Sequence, residues 1–256
     1  MSEALFATNG LTKRYGGLVA CRSVCLTLHQ GELIGLIGPN GAGKTTCFNL
    51  ITGADDPTEG SIQFCGEDVT TARDYEMARK GVARTFQNIR LWKDMTVLDN
   101  VRTVCAVDES YGYVAAVMRT PRYRRIESKI TEKARHLLAR IGLADAESEM
   151  ATDLPYGDQR KLEIARALAL DPKLLLLDEP AAGMNPAEKV DLMNTVHDIR
   201  DEFDLTVLLI EHDMKFVMGI CERIYVLDHG EEIAHGTPEE IQSNPRVIEA
   251  YLGSDL

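Results

Sequence analysis

Short apolar runs alternate with longer amphipathic stretches along most of this 256-residue chain. Three runs, at residues 33–37, 174–177 and 207–210, are apolar or glycine at every position, which is typical of strands buried on both faces of a parallel sheet. The stretches that separate the later runs have the spacing of amphipathic helices. The alternation predicts an α/β domain built on a central parallel sheet.

Turn signals mark the ends of several predicted elements. Gln30-Gly31 ends an early strand, and Gly53 follows the first helix in the position of a C-terminal stop. The predicted strands cover residues 24–28, 33–37, 61–65, 173–177 and 206–210. The predicted helices cover residues 44–52, 158–170 and 186–203, and another begins at residue 214.

The middle of the chain breaks this alternation. Residues 89–152 are dominated by helical patterning, and Arg and Lys are frequent between Arg119 and Lys133. One helical face there is apolar at Ile126, Ile130, Leu137, Leu138 and Ile141. We therefore predict a helical subdomain over about residues 89–159, inserted into a core of residues 1–88 and 160–237. Residues 238–256 are expected to form a C-terminal tail of two short helical pieces.

Composition narrows the choice of partners and compartment. The formal net charge of -12 disfavours nucleic acid as the main partner, because an acidic surface repels phosphates. No apolar run approaches the roughly 18 residues needed to span a bilayer, and residues 1–10 lack the pattern of a secretion signal. We therefore expect a cytosolic chain whose membrane role, if any, comes through a partner. None of the six cysteines forms a C-x-x-C pair, so reduced thiols are expected.

The first chemical motif follows the apolar run at residues 33–37 directly. It matches G-x-x-x-x-G-K-[ST], the P-loop, and precedes a predicted helix, which is the context that the motif requires. Glycines let the backbone wrap around phosphate oxygens, and the backbone N–H groups with the helix dipole bind the negative charge. Lys44 would reach the β- and γ-phosphates of ATP, and the Thr45 hydroxyl would serve Mg²⁺. The predicted ATP-binding residues here are Gly38, Pro39, Asn40, Gly41, Ala42, Gly43, Lys44, Thr45 and Thr46.

Carboxylates and a histidine follow the two later apolar runs. Asp178-Glu179 ends one predicted strand, and His212 follows another. Ligands bind at the carboxyl ends of strands in open parallel sheets. Asp178 is the expected partner for Mg²⁺, and Glu179 is expected to orient and deprotonate the attacking water. His212 is expected beside the γ-phosphate, although taken alone it would favour a surface or helix-capping role.

These motifs and the helical insertion together resemble the ATP-binding-cassette family over essentially the whole chain. The resemblance implies a P-loop NTPase fold with a RecA-like core, an inserted helical subdomain and an N-terminal antiparallel β subdomain. It implies that Tyr15 stacks on adenine, and that Gln87 joins the core to the helical subdomain, contributing to catalysis and to the metal site with Thr45 and Asp178. Glu179, His212 and Lys44 are the other implied catalytic residues. Residues 181–186 resemble the loop that contacts the partner cassette, with Asn185 where aspartate is usual.

The chain departs from the family pattern at the signature, usually Leu-Ser-Gly-Gly-Gln. Residues 154–159 read Leu-Pro-Tyr-Gly-Asp-Gln, so Pro155 replaces the serine and its hydroxyl contact is lost. Proline suits the start of a helix, and Gly157 still permits close backbone approach. The resemblance implies that Tyr156, Gly157, Asp158 and Asn185 approach ATP bound to the partner cassette. Tyrosine before a single glycine is a feature of the branched-chain amino acid subfamily.

Further stretches point to the same subfamily. Residues 86–91, 210–218 and 247–253 resemble it, and the chain resembles the longer of the two ATPase subunits that such importers carry. The resemblance implies a peripheral protein on the cytoplasmic face of the inner or plasma membrane. The implied partners are transmembrane permease subunits, a second cassette ATPase in a heterodimer, and a periplasmic or extracellular substrate-binding protein.

Several alternatives stay open from the sequence. Cassettes for urea, for another amino acid or for lipopolysaccharide export share parts of these stretches, and this subunit would not touch the cargo. A ribosome-associated or DNA-repair cassette is disfavoured by the single cassette, the acidic charge and the absence of sustained heptads. A nucleotide-binding regulator without catalysis is disfavoured by the presence of Glu179 and His212.

Overall fold

The fold is that of a computed structural model, which describes residues 4–107, 109 and 113–252. Its strands are β1 Ala4–Tyr15, β2 Leu18–Val24, β3 Thr27–His29, β4 Leu33–Ile37, β5 Glu59–Phe64, β6 Glu67–Asp68, β7 Val82–Arg84, β8 Leu174–Asp178, β9 Thr206–Ile210, β10 Arg223–Asp228 and β11 Glu231–Gly236. Its helices are α1 Lys44–Ile51, α2 Asp74–Lys80, α3 Val97–Cys105, α4 Tyr113–Val117, α5 Pro121–Arg140, α6 Tyr156–Leu168, α7 Pro186–Phe203, α8 Met214–Ile220, α9 Pro238–Gln242 and α10 Pro245–Leu252. A 3₁₀ turn covers Ala144–Ala146.

A six-stranded sheet forms the centre of the molecule, in the order β11-β10-β4-β9-β8-β7. All its pairings are parallel except that of the edge strand β11 with β10. Every residue of β4, β8 and β9 is buried, which explains why these strands are almost continuously apolar in the sequence. The carboxyl ends of these three strands lie at one edge, where the candidate chemistry follows.

An antiparallel sheet of five strands packs beside this centre, with β2, β1, β5 and β6 in order and β3 paired with β1. The predicted antiparallel β subdomain and α/β core are thereby confirmed. The predicted single strand at residues 24–28 is wrong, because Val24 ends β2 and β3 begins at Thr27. Thr8 explains the interruption: its Oγ1 donates to Val24 O and accepts from Leu26 N, which takes these groups out of a regular ladder.

The helical region packs onto the same core as the central sheet. Helix α3 contacts α5 and α6, and the predicted apolar face of α5 is buried at Ile130, Leu137 and Leu138. These side chains belong to one cluster with Leu175 and Leu209 of the central sheet. Helix α6 crosses the proposed boundary at residue 160, so the limits of the helical subdomain remain a proposal. No helix within the described ranges combines the length and the apolar character that a membrane span requires.

Candidate nucleotide-binding site

The P-loop connects the carboxyl end of β4 to the amino end of α1. Gly38, Gly41 and Gly43 have positive φ angles, and two of them leave no room for a side chain. A Cβ at Gly38 would lie 2.0 Å from Leu227 O, and one at Gly43 would lie 2.3 Å from Ala20 O. Gly43 caps α1 without a side-chain hydrogen bond. The first N–H groups of the helix therefore remain for an anionic ligand.

Replacing Gly43 with alanine is expected to weaken ATP affinity by about tenfold or more, because the added Cβ would collide with Ala20 O and displace the amides that bind phosphate. Titration with a fluorescent ATP analogue measures the change. Gly142→Ala is the matched control, since Gly142 also has a left-handed φ, +77°, but no atom lies within 4 Å of the place that its new methyl group would take. Equal affinities in the Gly43→Ala and wild-type proteins would contradict this account of the loop.

A cavity of about 660 Å³ gathers most of the predicted binding residues. It is lined by the P-loop together with Tyr15, Gln87 and Glu179. Residues Asn40 to Thr46 all contribute to its wall, whereas Gly38 and Pro39 do not line it. The loop, the residue expected at adenine and two expected catalytic residues therefore share one cavity, although they come from distant parts of the sequence.

Lys44 is the cation that the P-loop contributes to this cavity. Its ammonium donates to Gly38 O at 2.7 Å and to Pro39 O at 2.9 Å, so the side chain folds back over its own loop. Burial lowers the pKa of Lys44, and the carboxylate of Glu179 partly offsets this decrease. A partly desolvated cation attracts a phosphate more strongly than one in water, which suits the predicted role.

Glu179 lies at the centre of the predicted catalytic set. Its carboxylate accepts a hydrogen bond from Gln87 Nε2 at 2.8 Å on Oε2, and His212 Nδ1 lies 3.8 Å from Oε1. Glu179 itself adopts a left-handed backbone, φ 48°, and its N–H donates to Ile210 O of the neighbouring strand. Strained backbone held by surrounding structure is typical of functional sites. Three residues taken from separate motifs thus meet at one carboxylate.

Asp178 is buried one residue before Glu179, at the end of β8. Its carboxylate pairs with Arg84 at 2.7 Å, and its backbone N–H donates to Thr85 Oγ1 at 3.3 Å. The predicted metal set of Thr45, Gln87 and Asp178 offers hydroxyl, amide and carboxylate oxygens, the donors that Mg²⁺ prefers. Within the described part of the chain, no group of three or more His, Cys, Asp or Glu side chains is arranged to hold a metal ion.

Tyr15 is half exposed at the rim of the same cavity. Its hydroxyl donates to Asp55, and this hydrogen bond, with burial as a smaller contribution, raises the pKa of Tyr15 to about 12. The Lys13 ammonium lies 5.1 Å from the ring centroid and also pairs with Asp55. The ring is therefore held in place at the cavity, as a base-stacking role requires.

The signature residues do not line this cavity. Pro155 is the N-cap of α6, Tyr156 and Gly157 begin the helix, and Asp158 is in its first turn. Asn185 caps α7, with its Oδ1 accepting from Ala187 N and Glu188 N. None of Tyr156, Gly157, Asp158 and Asn185 lines the wall around Lys44. Their predicted contact with ATP on a partner cassette remains a prediction.

Two arginines that the sequence reasoning missed support the predicted residues. Arg84 binds Asp178, as described above. Arg160 of α6 donates to Phe86 O at 2.6 Å and also to Gln87 O, and it pairs with Glu163 at 3.1 Å. Its guanidinium is nearly fully buried, so it fixes the backbone that carries Gln87. Only the spacing of Arg160 and Glu163 at i and i+3 on a helix gave a signal in the sequence.

Comparison with known proteins places this site in a family. The family model for the ABC transporter matches residues 21–182, and that for the branched-chain amino acid ATP-binding cassette transporter matches residues 231–256. The chain is 47% identical to the high-affinity branched-chain amino acid transport ATP-binding protein LivG of Salmonella typhimurium, over 99% of both proteins. It is 46% identical to BraF of Pseudomonas aeruginosa, which has the same description, also over 99% of both.

A solved structure agrees with this assignment. The ADP conformation of MJ1267, an ATP-binding cassette of an ABC transporter, superposes with a TM-score of 0.86 at 30% identity, covering 98% of this chain and all of the other. Fold and site define a P-loop nucleotide-binding ATPase domain. The chain belongs to the ABC transporter family. The resemblance drawn from the motifs and the predicted fold class are confirmed.

Proposed function

We propose that this chain is the ATP-hydrolysing subunit that powers import of the branched-chain amino acids leucine, isoleucine and valine. The observation that carries the proposal is the convergence of Lys44, Gln87 and Glu179 on one cavity, in a chain that matches branched-chain amino acid transport proteins over its whole length. The first part supports ATP hydrolysis, and the second supports the cargo. The family match at residues 231–256 supports the same cargo.

The predicted residues of the cavity, with His212 beside Glu179, have roles that follow from their contacts. The loop amides and Lys44 bind the phosphates, and Tyr15 stacks on the base. Glu179 takes the proton of the attacking water, and the Gln87 amide that donates to it fixes the direction of its carboxylate. His212 stabilises the charge that develops on the γ-phosphate. The other parts of the loop hold the phosphates in position.

Mg²⁺ would be held by Thr45, Gln87 and Asp178. When bound, it neutralises the phosphate oxygens and orients the terminal phosphate for transfer. Asp178 is suited to this role because it is already ionically paired and lies at the same strand end as Glu179. The three residues come from α1, the segment after β7 and the end of β8, so a shift in any of these elements would alter the site.

The complete site is proposed to require a second cassette. Tyr156, Gly157, Asp158 and Asn185 do not line the Lys44 cavity of their own chain, and would approach ATP held by the partner. The partner is proposed to be a second, different cassette, with both docked on transmembrane permease subunits at the cytoplasmic face of the inner or plasma membrane. A periplasmic or extracellular binding protein would deliver the amino acid.

The contact of Arg160 with the Gln87 backbone supports a mechanical link between the two ends of the site. Helix α6 begins at the signature residues and carries Arg160 in its second turn. A movement of α6 on closure against a partner would therefore move the segment that carries Gln87. That segment is the proposed contact with the permease, so closure would be transmitted to the membrane subunits.

The proposal is tested by isolating the tagged chain from its native membranes and identifying what accompanies it. We expect permease subunits and a second cassette, and ATP hydrolysis by the reconstituted complex that rises when the binding protein carries leucine. Stimulation by urea or by another solute, without an effect of leucine, isoleucine or valine, would overturn the cargo. Recovery with ribosomes or DNA and without a membrane protein would overturn the transport function.

A further inference from the structure

A nearly buried arginine joins three parts of the site. Arg84 ends β7, beside Leu176 of β8. Its Nη2 donates to Asp178 Oδ2 at 2.7 Å, and its Nη1 donates to Asn49 Oδ1 at 2.7 Å. The side chains of Arg84 and Asp178 are only 10% and 8% exposed. One guanidinium therefore connects the P-loop helix with the carboxylate that ends β8.

Aromatic rings confine the guanidinium on two sides. Its central carbon lies 5.5 Å from the ring centroid of Phe48 and 5.4 Å from that of Phe86. Phe48 belongs to the P-loop helix, and Phe86 immediately precedes Gln87. Contacts of this kind stabilise a cation over a ring face and restrict its position. Arg84 is thus held from α1, from β8 and from the Gln87 segment.

Burying an ion pair costs desolvation energy that its attraction does not always recover. The central strands β4 and β9 end in the apolar residues Ile37 and Ile210, whereas β8 ends in Asp178 and the edge strand β7 ends in Arg84. The planar fork of arginine matches two acceptors at fixed positions, which a lysine ammonium cannot do. The two short contacts of Arg84 use that property, which points to orientation of Asp178 as its role.

We propose that Arg84 is a positioning residue that fixes the Asp178 carboxylate for the divalent cation bound with the nucleotide. The ion pair occupies Oδ2 and sets the rotation of the carboxylate, while Oδ1 serves the cation. Because Arg84 also holds Asn49 of the P-loop helix, the carboxylate and the phosphate-binding loop keep one relative position. The inference deepens the proposed function and rests on its ATP and Mg²⁺.

The expected consequence is a loss of coupling between cation and nucleotide. Without the guanidinium, the Asp178 carboxylate is free to rotate, so the benefit that Mg²⁺ gives to nucleotide binding falls. The loop amides and Lys44 are unchanged, so nucleotide affinity without Mg²⁺ stays the same. If Arg84 had a purely structural role, its replacement would instead lower the affinities with and without Mg²⁺ together, or lower the melting temperature alone.

The test measures the affinity of a fluorescent ATP analogue with Mg²⁺ and with EDTA, in the full-length chain. The ratio of the two affinities is the coupling between cation and nucleotide. We expect Arg84→Gln to reduce this ratio by about fivefold or more, with the affinity in EDTA within about twofold of wild type. The ratio of Arg84→Lys should lie between those of wild type and Arg84→Gln, since an ammonium keeps the charge but cannot hold both acceptors.

Arg223→Gln is the matched control. Arg223 begins β10, at the amino ends of the parallel strands, whereas the candidate site lies at their carboxyl ends. Arg223 pairs with Glu32 at 2.8 Å and lies 5.3 Å from the Tyr225 ring. The Arg223→Gln variant loses an arginine ion pair and a ring contact that do not belong to the site, so its ratio of affinities with and without Mg²⁺ should equal that of wild type. Asn49→Ala provides a milder second variant. It removes only the other acceptor of Arg84 and should lower the ratio in the same direction.

An unchanged ratio in Arg84→Gln would overturn the inference. An increased ratio would also overturn it, because it would mean that Arg84 repels Mg²⁺ and that its removal relieves this repulsion. If Arg84→Gln melts before it can be titrated, Arg84→Lys and Asn49→Ala decide, and wild-type ratios in both would overturn the inference. A wild-type protein that binds the analogue equally with and without Mg²⁺ would instead overturn the proposed metal site, and the inference with it.

Discussion

Replacing Glu179 with glutamine is expected to reduce ATP turnover by at least about a hundredfold, the contribution typical of a positioned general base, while ATP binding is kept. Glutamine preserves the size of the side chain and can still meet Gln87, but it cannot take a proton from water. Glu179 lies on the cavity wall and not in the loop that binds phosphate. Loss of the base should therefore separate hydrolysis from binding.

Two measurements on the reconstituted complex check this expectation. Phosphate release gives the turnover, and a fluorescent nucleotide titration gives the affinity. Glu222→Gln serves as the control, because Glu222 is an exposed carboxylate paired with Arg200, remote from the cavity. Turnover of the Glu179→Gln complex equal to that of wild type would remove Glu179 from the role of base.

Replacing Lys44 with alanine is expected to weaken ATP affinity by about tenfold to a hundredfold, because hydrogen bonds to charged groups contribute about 1.5–3 kcal/mol. The ammonium belongs to the phosphate-binding loop and bonds two loop carbonyls. Its lowered pKa reflects the partial desolvation that strengthens an ionic contact. Calorimetric titration of ATP into the purified chain measures the effect.

Lys133→Ala is the control for removal of a lysine, since Lys133 pairs with Asp171 and lies outside the cavity. Its ATP affinity should equal that of wild type. The melting temperature of Lys44→Ala should also stay close to wild type in the absence of nucleotide, because the ammonium bonds only its own loop. Unchanged ATP affinity in Lys44→Ala would refute the role of this residue.

The central strands were predictable from sequence because burial on both faces leaves continuous apolar runs. The helix at Pro186–Phe203 was also predictable to the residue, since a proline follows a capping asparagine at its start. Strand β7 was missed because it has three residues and ends in arginine. Strand β1 was missed because its apolar residues, such as Leu5, Phe6 and Leu11, do not alternate regularly with its polar ones. Such strands are specified by their neighbours and not by their own composition.

The residues of the candidate site were predictable where a motif fixes the backbone. The P-loop and the pair Asp178-Glu179 follow from local spacing, and the structure brings the loop and Glu179 to one cavity with Gln87 and Tyr15. The bond from Gln87 to Glu179 joins residues 92 positions apart, and Arg84 reaches Asp178 over 94. No local pattern encodes such pairs. The predicted contacts of Tyr156 and Asn185 depend on a partner cassette, which a single chain cannot supply.

The claim on which this account depends most is that the loop around Lys44, together with Asp178 and Glu179, binds one ATP molecule with its metal ion. Determination of a structure of Glu179→Gln with ATP and Mg²⁺ tests it directly. The account predicts the phosphates against the amides of residues 41–46, the base on Tyr15, and the metal ion beside Thr45 and Asp178. Nucleotide bound at another surface would contradict the account. So would bound phosphates that make no contact with Lys44 while its ammonium still donates to Gly38 O and Pro39 O.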